Sequence, residues 1–418
     1  MDKSIGILNL HFSKNYGAVM VPWAMQYILK KNFDQSSKII NYTFPAPPTA
    51  RYCYDSFEEF RENFLDITAY HCEITDSLRQ YVDNFHTIIV GSDQVFRTSP
   101  EHPYYLKWVS GDVRCIAYAA SFGIDRYEGN FFVRRKVQKL LHRFDIVSVR
   151  ETSGVKILQE SFGLTATQVL DPTLLLNAEE YQAIIDSGNY SVPENYVAVM
   201  FLDKEHWDDL RSSELYKILS QKYTFIDICK DDKNNFRPVP HWLSLIKNAQ
   251  YIITDSFHGS VFSIIFQKQF LTVSTTCRGN SRIESLFYTL GIPFSRFCTK
   301  LSNFETAHFE KDIDYTLTYQ KLYKERAKSL EFLRNSLALK PKKKNFIASK
   351  IHKLILPILT IKDIATSKEL LIFNTIPAIS KDTKTKEFYV FKKIPINKIK
   401  VHYQNILQIF SKIYHKKR

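Results

Sequence analysis

The sequence predicts an α/β protein of two parallel-sheet domains facing a cleft, with a basic C-terminal extension attached. Three observations predict it. Short runs of β-branched and aliphatic residues alternate with helical patterns through the first part of the chain, the signature of a parallel sheet flanked by helices. The alternation stops at a polar, turn-rich stretch and starts afresh at Tyr196. Charge is unevenly placed: from Lys340 onward there are 19 Lys and Arg against 4 Asp and Glu, a surplus of +15, whereas the preceding residues carry 38 basic and 39 acidic side chains and are nearly neutral. The boundaries read from these breaks are 1–190, 191–339 and 340–418.

In the first domain SIGILNL precedes the helical VMVPWAMQYILKK. HTIIVGS, RCIAYAAS and FDIVSVR follow as strands, the last running into the helix SGVKILQESF. Most of these strands are apolar at odd and even positions alike, as expected where helices cover both faces of a sheet. Asp171-Pro172 breaks the pattern in VLDPTLLLNAEEY, and DSGNYSVPEN supplies the turn residues of a linker. The second domain reads YVAVMFL, a helix through SSELYKILSQK, YTFIDIC, the helix HWLSLIKNA, YIITDS, a helix through VFSIIFQ, and FLTVST; a long helix over 312–339 closes it. In open α/β sheets ligands bind beyond the carboxyl ends of the strands, so functional residues are expected at the strand-to-helix junctions lining the cleft.

Composition removes several classes. With 44% hydrophobic and 24% charged residues among 418, the chain is neither disordered nor fibrous. No run approaches the roughly 18 to 20 apolar residues that span a bilayer, residues 354–361 being the nearest and broken by Pro357. The first apolar run is too short and too soon interrupted for a secretory signal. Cysteines at 53, 72, 115, 229, 277 and 298 never fall at CxxC spacing, which argues against a zinc cluster or a disulfide framework and for reduced thiols in a cytoplasm. In the extension, Ile351, Leu354, Ile355 and Ile358 share one helical face, with Pro357 dividing any long helix into two. Together with the +15 surplus this points to an anchor on an anionic membrane surface, where each basic side chain contributes about 1 kcal/mol; a solvated, partly disordered tail fits the same residues. A nucleic-acid partner is not expected, since only Tyr389, Phe391 and Tyr403 in the basic tail favour one.

Five junctions carry residues suited to chemistry. In YIITDSFHGSVFSIIF a strand runs into an apolar helix through a polar turn that Asp255 or Ser256 can cap, which puts His258 in or beside the first helical turn. Free N–H groups and the helix dipole favour an anion there, and a bound anion would favour protonated His258, as a general acid requires; a capping turn with a structural histidine fits the same residues. In DIVSVRETSG the strand ends on Arg150, whose guanidinium can clamp a carboxylate or phosphate, or else pair with Glu151. In LHFSKNYGAV the turn Asn15-Tyr16-Gly17 precedes a helix and can present backbone donors to an anion, although one glycine is far weaker than a P-loop. In IIVGSDQV, Asp93 can orient a sugar hydroxyl, act as a base, or cap a helix. In TCRGNSRI, Arg278, Asn280 and Arg282 stand in a polar turn before a helix, an anion clamp or solvated loop charge.

In their order these segments resemble the polysaccharide pyruvyl transferase family over residues 5–300. The resemblance rests on Asn15-Tyr-Gly-Ala18, Val90-Gly-Ser-Asp-Gln94, Tyr118-Ala-Ala-Ser-Phe-Gly123, Ser148-Val-Arg-Glu151, Leu170-Asp-Pro-Thr173, Thr254-Asp-Ser-Phe-His-Gly259 and Asn280-Ser-Arg282. It implies two Rossmann-like domains arranged as in GT-B glycosyltransferases. It implies phosphoenolpyruvate as donor and co-substrate, a sugar diol or lipid-linked oligosaccharide as acceptor, a pyruvate ketal as product, and no cofactor or metal. It further implies that His258 is the acid and that Arg150 holds the donor. Ser256 stands where ketal-forming relatives often carry arginine, so that anion contact falls to Arg278 or Arg282. Phe96-Arg97 stands where relatives commonly read Trp-Asn, which leaves the acceptor open. The expected place is the cytoplasm, peripheral to the inner face of the plasma membrane. A nucleotide-sugar glycosyltransferase of the same architecture is the nearest rival, because fold alone does not fix a donor; a non-catalytic nucleic-acid-binding protein is the remoter one.

Overall fold

The computed structural model describes residues 4–43, 55–97, 99–275, 279–306 and 312–345, together with the strands of the extension. It divides into two units, Met1–Ile347 and Ala348–Arg418.

The first unit contains two parallel sheets. One is ordered β2-β1-β3-β4-β5-β6, from β1 (Ser4–Leu8), β2 (Ser37–Ile39), β3 (Phe85–Val90), β4 (Arg114–Ala120), β5 (Ile146–Val149) and β6 (Thr167–Gln168). The other is ordered β11-β10-β9-β7-β8, from β7 (Tyr196–Met200), β8 (Thr224–Asp227), β9 (Tyr251–Thr254), β10 (Gln269–Val273) and β11 (Phe297–Cys298). Helices α1 (Tyr16–Phe33), α2 (Ser56–Phe64), α3 (Phe131–Leu141) and α4 (Thr152–Phe162) serve the first sheet, and α5 (Gln182–Ile185) leads out of it. Helices α6 (Glu205–Ser212), α7 (Glu214–Leu219), α8 (Val239–Asn248), α9 (Phe257–Ile265) and α10 (Ser281–Leu290) serve the second, and α11 (Tyr315–Ala338) follows. Each sheet begins second-first-third, so each reverses direction between its first and third strands. Such a switch point leaves a crevice beyond the strand ends where ligands bind. The loops bearing Asn15 and Asp93 leave one switch point, and the loop bearing His258 leaves the other.

Apolar burial explains both the sheets and their union. Strands β3 and β4 are buried almost throughout, as their unbroken apolar runs require. Ile5, Ile7, Ile89 and Ile116 on one face of the first sheet belong to the same apolar core as Ala198, Met200 and Ile252 of the second, joined by α1, α8 and α9. Each fully buried side chain of this size contributes about 1.5–3 kcal/mol, so the shared core binds the two domains firmly.

The helix read from sequence as closing the second domain also returns to the first. Near its start, Tyr319 donates through its hydroxyl to the Ile265 carbonyl at 2.8 Å. Further along, Arg326 donates to the Leu174 and Leu176 carbonyls at 2.5 and 2.6 Å, and the Leu170 N–H donates to Ser329 Oγ at 3.0 Å. Beyond it, Arg114 donates to the Leu339 carbonyl at 2.7 Å, and buried Lys344 pairs with Asp145 at 2.8 Å. Residues 340–345 thus pack on the first domain rather than opening the extension.

In the extension the strands β12 (Thr360–Ile364), β13 (Ser367–Ile372), β14 (Ile376–Asp382), β15 (Glu387–Val390) and β16 (Ile399–His402) form an antiparallel meander. The sequence reading contains no such sheet: strands such as SKELLI and IPAISKD are interrupted by charged residues and lack the unbroken apolar runs that mark buried parallel strands. The expected helical face Ile351, Leu354, Ile355 and Ile358 lies outside the described residues. Among the described residues no helix is long and apolar enough to cross a membrane, and Cys72, Cys115, Cys229 and Cys298 are free thiols.

Candidate active site

At the first switch point Asn15 starts α1: its Oδ1 accepts from the Gly17 and Ala18 N–H groups at 2.9 and 3.3 Å. Backbone donors that the sequence reading offered to an anion are therefore used by the cap. The Tyr16 ring stacks on Trp242 with centroids 4.5 Å apart, and its hydroxyl donates to the Cys229 and Arg237 carbonyls at 3.0 and 2.8 Å. Tyr16 is thus a tie between the domains. Gly17 is bare for a reason visible in the second domain: a Cβ there would stand 1.9 Å from Nδ1 of His258.

At the second switch point β9 ends at Thr254, and the Asp255 carboxylate accepts from the Leu202 and Asp203 N–H groups at 2.8 and 2.9 Å, with His206 Nδ1 at 3.0 Å. Ser256 is the N-cap of α9, accepting from the Gly259 N–H at 3.4 Å. His258 lies in the first turn of α9 with 6% of its surface exposed. Its Nε2 has no hydrogen-bond partner among the described residues and stands 3.7 Å from Asp171 Oδ2. That separation makes an ion pair when the ring is protonated, though it is long for a hydrogen bond.

Asp171 is the hub between the domains. Its Oδ2 accepts from Ser92 Oγ at 2.6 Å and from Arg150 Nη1 at 2.9 Å, and its Oδ1 accepts from Thr173 Oγ1 at 2.7 Å. Burial works against its charge, but the neighbouring His258, Arg150 and Ser92 outweigh it and hold the carboxyl well below the usual range. Arg150 also reaches Asp93 through Nη2 at 3.2 Å, Ser92 Oγ through Nη1 at 3.2 Å, and lies 3.8 Å from Glu151 through Nε. The sequence reading gives Arg150 the donor; in the structure its fork is held by Asp171, Asp93 and Ser92. Burial would lower its pKa, and the carboxylates of Asp93, Asp171 and Glu151 raise it instead.

Phe257 lies under this cation, 4.2 Å from ring centroid to guanidinium, and 5.7 Å from the buried Arg282. Glu151, fully buried, accepts from the Phe122 and Gly123 N–H groups at 2.9 and 3.3 Å, and burial pushes its carboxyl up. Asp93 is held at φ +86°, a left-handed conformation of the kind that accumulates at functional sites. Its side chain is 22% exposed. Burial tends to raise its pKa, but Arg150, His258 and Arg282 lower it further.

The structure therefore gathers Gly17, Asp93, Arg150, His258 and Arg282 around one centre, with Ser256 and Asn15 as caps of the helices that meet there. Asn280 stands aside, its Oδ1 accepting from the Thr275 N–H at 2.9 Å, and Arg278 lies outside the described residues. Asp171, Ser92, Glu151 and Phe257 are missing from the sequence reading's site. Ser92, Glu151 and Phe257 each adjoin a residue it names, so neighbourhood is the available signal; Asp171 shows there only as the break in the strand–helix alternation and within the family-like segment Leu170-Asp-Pro-Thr173, with no role attached.

Two Rossmann-like domains meeting at their switch points, with ionisable side chains gathered between them, define the class of molecule. The chain belongs to the polysaccharide pyruvyl transferase family: the model of that family matches residues 15–276, more than half of the chain. No curated protein matches. Among solved structures the chain is similar to the UDP-GlcNAc 2-epimerases of Neisseria meningitidis and Methanocaldococcus jannaschii. The first shares 13% identity over 80% of this chain and 99% of that one at a TM-score of 0.47; the second shares 16% over 81% and 99% at 0.45. It is also similar to a UDP-glucosyltransferase from Polygonum tinctorium, with 10% identity over 82% and 95% at a TM-score of 0.43. Likeness at that level says nothing of donor or acceptor.

Proposed function

We propose that this transferase moves the pyruvyl group of phosphoenolpyruvate onto two hydroxyls of a sugar, in a surface polysaccharide or its lipid-linked precursor, with His258 as the general acid. The observation that carries the reading is the setting of His258: a buried imidazole on the first turn of α9, with an Nε2 that has no hydrogen-bond partner among the described residues and a carboxylate oxygen, Asp171 Oδ2, 3.7 Å away. Protonation of the donor's methylene carbon by His258 converts it to a methyl group and leaves an oxocarbenium-like centre, which a sugar hydroxyl attacks with loss of its proton. The second hydroxyl then displaces phosphate and closes the ketal; one hydroxyl proton restores His258 and the other leaves with phosphate.

In this reading Asp93 and Asp171 place negative charge beside the developing cation, the kind of preorganised electrostatics that contributes most to catalysis. Arg150 acts as a positioning residue for those two carboxylates, and Arg282 with the start of α9 receives the donor's anionic groups. Asp93, the partly exposed acid, orients the attacking hydroxyl and relays its proton toward His258. No metal or cofactor enters these steps. The acceptor is met at an anionic membrane surface.

Incubation with phosphoenolpyruvate and candidate repeat units, followed by phosphate release and product mass, tests the reading. It is lost if a nucleotide-sugar stabilises the protein while phosphoenolpyruvate neither stabilises it nor is consumed with any sugar. His258→Ala is expected to lower turnover about 100-fold to 10,000-fold, the usual range for a general acid, with donor affinity and melting temperature nearly unchanged. A fully active variant would leave His258 a purely structural residue.

A further inference from the structure

A cavity of about 670 Å³ opens at the carboxyl ends of β7 and β8, walled on one side by the start of α1. Its volume is that of a true ligand pocket, typically about 300–1,000 Å³, and is more than a donor as small as phosphoenolpyruvate fills. Five aromatic rings line it, Tyr16, Phe201, Trp207, Phe225 and Phe236. So do four cations, in two kinds. Lys14 is paired with Asp55 at 2.6 Å and Arg211 with Asp208 at 3.4 Å, whereas Lys204 and Lys230 have no carboxylate within ion-pair distance among the described residues. The Lys230 ammonium sits 3.2 Å from the centroid of the Phe236 ring, a cation held against an apolar face. On the floor Asp227 accepts from the Cys229 and Lys230 N–H groups at 2.8 and 3.1 Å.

The cavity is joined to the site of His258 at two places. Tyr16 lines it, and the next residue, Gly17, gives His258 its room. Leu202, on the rim, is held by Asp255, three residues before His258. An occupant's end would thus lie beside the reacting centre.

We propose that this cavity binds a phosphorylated sugar, the glycosyl phosphate or diphosphate portion of the acceptor. Its ring lies on the aromatic faces, a hydroxyl reaches Asp227, and the phosphate sits between Lys204 and Lys230. Aromatic faces suit the C–H faces of a sugar ring, and two ammonium groups without an ion-paired carboxylate among the described residues, that of Lys230 also donating to the Asn234 carbonyl at 3.1 Å, suit a doubly charged phosphate. That the bound sugar is the acceptor rests on the pyruvyltransferase reading; binding itself needs no donor and is measured without one.

Trp207 lines the cavity while Trp23, Trp108 and Trp242 are buried, so intrinsic fluorescence reports on occupancy. The full chain is titrated with free hexoses and N-acetylhexosamines, their 1-phosphates, a nucleotide-sugar, a short-chain polyprenyl diphosphate sugar, and inorganic phosphate. At least one phosphorylated sugar should bind about ten-fold tighter than its free sugar, the effect of one charge-assisted contact. The advantage should vanish in a Lys204→Ala/Lys230→Ala variant of unchanged melting temperature, and the signal should vanish in Trp207→Phe. The nucleotide and polyprenyl arms then tell which carrier the phosphate belongs to. Equal binding of free and phosphorylated sugars, no binding at all, or inorganic phosphate binding as tightly as any sugar phosphate overturns the proposal. Thermal shift with phosphoenolpyruvate on the same variant keeps the two readings apart: donor binding survives if only the cavity is misassigned, and fails on its own if only the donor is.

Discussion

Gly17 has a task that no other residue can perform, because the space of its missing side chain holds the His258 imidazole. In an ordinary first helical turn, alanine in place of glycine stabilises by roughly 0.5–1 kcal/mol. Gly17→Ala is therefore expected to fold, by circular dichroism and thermal melting, yet lose turnover by at least about 100-fold because His258 is displaced. A stable, fully active Gly17→Ala would mean that the histidine's position is irrelevant. His11 makes a prediction about pH. Burial foremost, with help from the Arg61 charge, depresses it from its ordinary 6.5 to about 4. The unfolded chain takes up this proton near pH 6.5 while the folded chain refuses it until about pH 4, so stability is full above 6.5 and falls as pH drops through that window. The loss reaches about 3 kcal/mol. Urea unfolding at pH 7.5 and pH 5 should show a larger loss for the natural chain than for His11→Gln; equal losses would mean His11 titrates freely. At this scale the sequence reveals residues that sit on a junction. His258, Asp93 and Arg150 each end a strand or open a helix, and periodicity alone finds such places. It does not reveal Asp171, whose bonds to Ser92, 79 positions away, exist only once the sheets have formed.

Among the elements, α11 shows how a helix can be legible while its purpose is not. Its predicted span, 312–339, surrounds the observed Tyr315–Ala338 because Asp314 caps it and apolar residues recur along it. Its partners are another matter, since a helical pattern states how wide an apolar face is and not which sheet that face will meet. Arg326 settles the question by bonding the carbonyls of Leu174 and Leu176, in the segment that carries Asp171. Arg326→Met should strand those carbonyls without donors and lower stability by about 3 kcal/mol, seen as a lower urea midpoint. Turnover should fall beyond what the unfolded fraction explains, because the Asp171 turn loses its support. A change in midpoint alone would confine Arg326 to scaffolding.

For the molecule as a whole, both parallel-sheet domains were legible because buried parallel strands are apolar on two faces and stand out against the helices between them. The extension was legible only as charge. Its surplus of +15 over residues 340–418 supports the membrane-surface proposal, and the structure says where to test it. A cut after Leu339 would remove Lys344 and its buried pair with Asp145, so the truncated chain should end at Ile347. Sedimentation with anionic vesicles should be strong for the full chain, reversed by salt, and weak for the truncated one, while neutral vesicles bind neither. Equal sedimentation of both on anionic vesicles excludes the anchor.

The return of α11 has a mechanical meaning. Both ends of the first unit, β1 and the segment around Lys344, belong to the first domain, so the second is an insert on a doubled tether. Tension applied at the two ends would load the first domain directly and leave the second in shadow until the first gave way. The half that holds His258 would be the last to feel a pull on the chain.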